Sequence, residues 1–237
     1  MRARSVRLTL PPVVQRYAHR LVHPSPPAFG GRPAGKDRVE DGLVSRVRAA
    51  IKRRLYEGFG RDRWQRADEV VVALGLRPGA HVADVGAGGG YFTFRLANAV
   101  GPAGKVYAVD VDDDLQAYVA RTAWARGVAN VETIRGERHD PRLPAPVDLL
   151  FSSDAYHHLT DRTAYFARAQ GYLRPGGRAA IIDHVPQGFF AGWLGHGTAA
   201  DVVQREMESA GYRLAQEIDL LRPRQHFLVF DAIGPSR

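Results

Sequence analysis

From Val39 onward apolar side chains recur every four positions, at Val39, Leu43, Val47, Ile51 and Leu55, with Arg46, Arg48, Lys52 and Arg53 between them. That spacing lays one apolar stripe along a helix and predicts an amphipathic helix there. A second helical stretch is expected over 62–74, stopped by Gly75. After Pro78-Gly79 the period changes, and short apolar runs alternate with helix-length segments. The expected order is strand 81–85, glycine turn 86–90, helix 91–100, strand 105–110, helix 112–126 and strand 131–135. It continues with strand 147–151, helix 161–173, strand 178–184, helix 199–210 and strands 212–218 and 226–230. Strands interleaved with helices make βαβ units, hence an α/β fold with a mostly parallel, doubly wound sheet and helices on both faces. Such sheets bind ligands outside the carboxyl ends of their strands, so the residues just past each strand are the candidates.

The first 36 residues break this order. They hold six prolines and no apolar period, so a flexible tail over 1–38 and a domain over 39–237 are expected. Charge supports the division. The chain carries a net +8, of which +7 falls in residues 1–36, so the rest is nearly neutral and gives no nucleic-acid footprint. An Arg-rich, acid-free tail also suits organellar targeting or an anionic surface. A secretory signal is not expected, because the apolar stretch over 6–14 is broken by Arg7, Pro11 and Pro12. No apolar run approaches the ~18 residues of a membrane helix, so a chain with no stable membrane anchor and a cytoplasmic location are expected. There are no cysteines, which excludes disulfides, thiolate metal sites and a cysteine nucleophile.

The densest chemical signal is Asp84-Val-Gly86-Ala-Gly88-Gly89-Gly90 at the end of the first strand. Glycines let the backbone turn tightly and approach a ligand, and the following helix points its free N–H groups into the same space. Asp110 ends the next strand, where a carboxylate can accept from both hydroxyls of a ribose. A nicotinamide fingerprint would place a third glycine where Tyr91 stands.

The spacing instead resembles the class I S-adenosylmethionine-dependent methyltransferases of small-molecule type. The resemblance runs over about 62–231. Val82 to Tyr91 resembles the cofactor loop, Val106-Tyr-Ala-Val-Asp110 the ribose-binding strand end, and Gly136-Glu137 the adenine step. Val147 to Leu159 resembles the fourth strand with its acceptor-side loop, and Leu173 to Arg178 the turn into strand five. The resemblance implies a Rossmann-like seven-stranded sheet of order 3-2-1-4-5-7-6 with strand seven antiparallel. It implies S-adenosyl-L-methionine as cofactor, a small-molecule O, N or C nucleophile as acceptor, and no metal. Gly86, Gly88 and Gly90 would pass the methionine and ribose parts, flanked by Tyr91 and Val111. Asp84 would meet the ammonium, Asp110 the ribose, Glu137 the adenine amino group with Arg138 beside it, and Ser153 the reactive centre. Glu-Arg-His stands where Asp-Ala is commoner, and Ser-Ser-Asp replaces the usual Asn. Residues 39–76 would supply helices covering the cofactor, Trp64 serving either there or in the core.

For the acceptor side the residues leave alternatives open. His157 or Asp154 can act as a general base. The pair His157-His158 can equally belong to loop packing, and adjacent side chains diverge too far for good metal ligation. Asp154 and Asp161 also suit helix caps. Phe189, Phe190 and Trp193 can wall an acceptor pocket. Nucleic-acid methylation fits poorly, since no Asn/Asp-Pro-Pro-aromatic step follows strand four and the cysteine of the C5-cytosine route is absent. Two alternatives stand beside methyl transfer: a non-catalytic S-adenosylmethionine-binding module and a nicotinamide-dependent oxidoreductase. Oligomeric state has no signal in the sequence.

Overall fold

The computed structural model describes residues 61–186 and 197–233. The tail, the expected helix over 39–55, and Phe189, Phe190 and Trp193 lie outside the described residues. Two short helices, α1 (Arg61–Gln65) and α2 (Ala67–Ala73), precede β1 (His81–Val85) and α3 (Thr93–Val100). Then come β2 (Lys105–Asp110), α4 (Asp113–Ala125), β3 (Val131–Arg135) and β4 (Val147–Ser153). A 3₁₀ turn at Tyr156–His158 leads to α5 (Arg162–Ala169) and β5 (Leu173–His184). The chain closes with α6 (Ala200–Ser209), β6 (Tyr212–Glu217) and β7 (Gln225–Ala232).

The seven strands form one sheet of order β3-β2-β1-β4-β5-β7-β6. β1 to β5 pair in parallel, while β7 runs antiparallel to both β5 and β6. This is the order that the resemblance implies. The central strands read as continuous apolar runs because both of their faces are covered. Val82, Phe151 and Ile182 pack on one face with α2 and α3; Val85, Leu150 and Ile181 pack on the other with α5 and α6.

Boundaries move where side chains override the local pattern. The helix expected over 62–74 is broken at Arg66, which takes a left-handed backbone at φ 47°. Gln65 turns into the core there, and the Arg66 guanidinium donates to the Leu220 carbonyl at 3.0 Å. β5 starts earlier than expected, at Leu173, and carries Pro175-Gly176-Gly177 as an irregularity between the Val147–Leu173 and Leu149–Arg178 pairs. Asp161 caps α5 by accepting from the Ala164 amide at 3.0 Å, and Asp112 caps α4.

Candidate functional site

A cavity of about 370 Å³ opens at the carboxyl ends of β1, β2 and β4. Its floor is the glycine turn. The amides of Gly86 and Ala87 both donate to the Val109 carbonyl, which ties the turn to β2. Asp110 completes the tie: one carboxylate oxygen accepts from the Gly88 amide at 2.8 Å and the other from the Asp112 amide at 3.0 Å. Each oxygen keeps a further lone pair for a ligand hydroxyl. Gly88 has a left-handed φ of +54°, and a Cβ placed there would meet nothing within 4 Å, so it would project into the cavity.

Among the residues expected to hold the cofactor, Asp84, Gly86, Gly88, Tyr91 and Asp110 line this cavity. So do Val111, Glu137, Arg138 and Ser153. Gly90 does not. A Cβ at Gly90 would lie 2.8 Å from the Phe94 ring and 3.3 Å from Val119, so this glycine lets α3 and α4 approach the turn. Glu137 sits half-exposed at the rim, its carboxylate accepting from Arg142 at 2.6 Å.

Asp84 is buried, and its carboxylate accepts from the Thr93 hydroxyl at 2.6 Å. Burial pushes its pKa up to about 6, with the neighbouring Asp110 adding to the shift and the Thr93 hydrogen bond opposing it. A folded-state value above the unfolded one means that the folded chain holds this proton more tightly. This contribution is fully present below the ordinary value of 3.8 and is lost progressively as pH rises to about 6, up to about 3 kcal/mol in all. The thermal midpoint of the ligand-free protein is expected to rise between about pH 7 and pH 5, and Asp84→Asn to flatten that rise. An equal pH response in the variant, measured by calorimetry, would remove Asp84 as its source.

The other wall is built by long-range contacts that no sequence period announces. Gln65 is fully buried and donates to Ser153 Oγ at 3.3 Å and to Gln225 Oε1 at 2.9 Å, pinning α1 across the ends of β4 and β7. This brings Arg61 to the cavity, 2.7 Å from the Asp154 carboxylate and with its guanidinium 4.2 Å above the Tyr91 ring. Asp154 also lines the cavity. It takes a left-handed φ of 58° directly after β4, accepts from Gln225, and lies 3.3 Å from His184 Nε2. Burial raises its pKa, while Arg61 and His184 oppose the shift. Trp64 packs against the His184 ring, 5.7 Å between centroids, outside the cavity lining.

The two adjacent histidines part company. His158 lines the cavity. His157 is not among the lining residues; its ring centroid is 4.0 Å from that of His158 and its side chain is only 6% exposed. Its Nδ1 is 2.6 Å from Asp183 Oδ1. The turn that carries both is fixed by the buried Tyr156, which donates to Glu206 at 2.8 Å while Arg162 makes two hydrogen bonds to the same carboxylate. Arg61 and Asp183 were absent from the sequence candidates.

The residues present fit a nucleoside carrying an amino-acid chain: backbone amides and Asp110 at the ribose position, a rim acid at Glu137, and the Asp84 carboxylate at depth. Residues 82–177 match a family model described as a methyltransferase domain. Nocamycin O-methyltransferase of Saccharothrix syringae is 32% identical over 139 residues, covering 56% of this chain and 50% of that protein. The chain thus spans about half the length of that relative. Among solved structures, a SAM-dependent methyltransferase from Aquifex aeolicus superposes with a TM-score of 0.67 at 24% identity, covering 78% of this chain and 98% of that one. The magnesium protoporphyrin IX methyltransferase of Synechocystis PCC 6803, solved with bound SAM, gives 0.60 at 16% identity, covering 85% of this chain and all of that one.

Proposed function

We propose that this chain, whose residues 82–177 match a methyltransferase-domain model, is a class I S-adenosylmethionine-dependent methyltransferase that methylates a small-molecule O, N or C nucleophile. The observation that carries this reading is the continuous cavity from the Asp110 carboxylate past Gly88 to Asp154 at the end of β4. When bound, the cofactor supplies a methyl group already activated on a sulfonium. The task left to the chain is alignment and proton removal, that is, catalysis by proximity and orientation. In this proposal Asp110 holds the ribose and Gly88 leaves room for the cofactor chain. Glu137 and Arg138 flank the adenine. Asp84 faces the ammonium, and its ionised form favours that cation. The acceptor lies over the loop 152–158, where Asp154 and His157 are the candidate bases. No helix among the described residues is long and apolar enough to cross a membrane.

Titration with S-adenosylmethionine and separately with NAD(H) tests the cofactor, and turnover with a panel of phenols, amines and quinols tests the chemistry. Saturable binding of NAD(H) alone would favour the oxidoreductase reading. Cofactor binding without turnover of any acceptor would favour a binding module. Asp110→Ala is expected to weaken S-adenosylmethionine binding roughly 10- to 150-fold, since a hydrogen bond to a charged group contributes about 1.5–3 kcal/mol. Calorimetry on the folded variant reads this directly, and an unchanged affinity would withdraw the ribose assignment.

A further inference from the structure

Tyr165 has a buried ring and a hydroxyl that the protein does not use. It stands on α5, one turn past the Asp161 cap, in the apolar cluster that also holds Val109, Leu150 and Phe166. It is 1% exposed, and it lines the cavity, so the little surface it keeps faces that space. Other tyrosines packed into this layer find hydroxyl partners inside the protein. Tyr156 donates to Glu206 at 2.8 Å, Tyr172 to Asp140 at 2.9 Å and Tyr212 to the Phe166 carbonyl at 3.0 Å. The Tyr165 hydroxyl makes no hydrogen bond with any described residue. Nor is it closed off from solvent, as the unpaired Ser152 Oγ and Asp183 Oδ2 are. For packing alone phenylalanine would fill the same place without the desolvation cost of an unmatched hydroxyl. A hydroxyl with no protein partner that opens on a ligand cavity points to a partner carried by the ligand.

Its place along the cavity follows from its neighbours. Burial raises the Tyr165 pKa, and the carboxylates of Asp140 and Asp110 add to the shift, so the hydroxyl keeps its proton. Asp110 is the carboxylate at the ribose position. Asp140 belongs to the loop of the adenine step, where its amide and carbonyl pair with those of Glu137. Tyr165 thus stands at the nucleoside end. The side chains already assigned to that end are acceptors: the Asp110 carboxylate, suited to ribose hydroxyl hydrogens, and the Glu137 carboxylate at the rim, suited to an amino group. A nucleoside also carries acceptors of its own, the ring nitrogens of the purine and the oxygens of the ribose. A carboxylate cannot serve these; a protonated phenol can.

We propose that Tyr165 is a further cofactor-binding residue, whose hydroxyl donates a hydrogen bond to the nucleoside of S-adenosylmethionine. The inference rests on the methyl-transfer reading above and adds to it a contact from the middle of a helix. Every cofactor residue named from the sequence lies instead at a strand end or in the turn that follows one. The ring is held by its apolar neighbours, and the hydroxyl alone meets the ligand. Stability and affinity therefore separate at this position: the hydroxyl contributes to binding and nothing to the fold of the free protein.

Tyr165→Phe in the full chain removes the hydroxyl and keeps the ring. The thermal midpoint of the ligand-free variant is expected to equal or exceed that of the parent, since no hydrogen bond within the protein is lost. Calorimetric affinity for S-adenosylmethionine is expected to fall roughly 3- to 10-fold, the loss of one hydrogen bond between neutral groups. Affinity for 5′-methylthioadenosine, which keeps the nucleoside and lacks the amino-acid chain, should fall by the same factor. A folded variant whose affinity stays within about 2-fold of the parent would overturn the proposal and leave the hydroxyl to cavity water. A variant that melts well below the parent would overturn it too, because the hydroxyl would then have a partner in the protein. So would a loss toward S-adenosylmethionine that 5′-methylthioadenosine does not share, because the contact would then lie on the amino-acid chain. A parent that does not bind S-adenosylmethionine would reject the methyl-transfer reading and this contact with it, whereas a parent that binds beside an unaffected variant rejects the contact alone.

Discussion

Gly88→Val is expected to abolish S-adenosylmethionine binding in a protein that still folds. The backbone at Gly88 is left-handed, and a Cβ there points into open cavity, so the valine methyls would occupy cofactor volume without meeting a protein neighbour. A β-branched residue at positive φ is also strained, which would pull the Gly88 amide off the Asp110 carboxylate. Both effects act on the same turn and neither reaches the packed faces of the sheet. The affinity loss should exceed about 100-fold, or about 3 kcal/mol. Gly88→Ala should lie between parent and valine variant, since its single methyl takes less of the same space. Calorimetric titration reads the affinity, and a thermal melt shows that the sheet survives. A folded Gly88→Val that binds the cofactor tightly would mean that the glycine run serves only to turn the chain.

The parts of this site that were legible in the sequence are those that short spacings encode. The alternation of apolar runs and helices gave the doubly wound sheet. Asp84, Gly88 and Asp110 were legible because a strand end, a turn and the next strand end lie within one βαβ unit, where local order fixes spatial order. What was not legible depends on distant pairs. Arg61 and Asp154 stand 93 residues apart, and Gln65 and Gln225 are separated by 160. The helix break at Arg66 follows from such a contact and not from any local breaker. Gly90 matched the motif but serves helix packing, because the same residue type answers both needs. One overlooked signal was available. Asp183 continues the inward-facing positions Ala179 and Ile181, and a carboxylate on a buried stripe asks for a partner.

His157→Ala is expected to slow methyl transfer by roughly 10²- to 10⁴-fold, equivalent to about 3–5 kcal/mol of barrier, if the imidazole removes the acceptor proton. Cofactor affinity should barely change, because His157 is not among the residues that line the cavity. The alanine variant alone is ambiguous: it removes the candidate base and also takes the His157 ring away from the buried Asp183 carboxylate, which keeps the His184 amide. His157→Gln separates the two effects. A glutamine amide can still donate to Asp183 and fill much of the same space, so the structural contact survives, but it cannot accept a proton near neutral pH. With His157 as base, the glutamine variant should be as slow as the alanine variant while melting close to the parent. With His157 only bracing the turn at Tyr156–His158, glutamine should restore most of the rate that alanine loses. The acceptor panel must come first, because a carboxylate acceptor carries no proton to remove and would hide the effect. Parental turnover by His157→Gln, on a hydroxyl acceptor and across pH, would return the residue to packing and shift the search for a base to Asp154, which already lines the cavity beside Arg61.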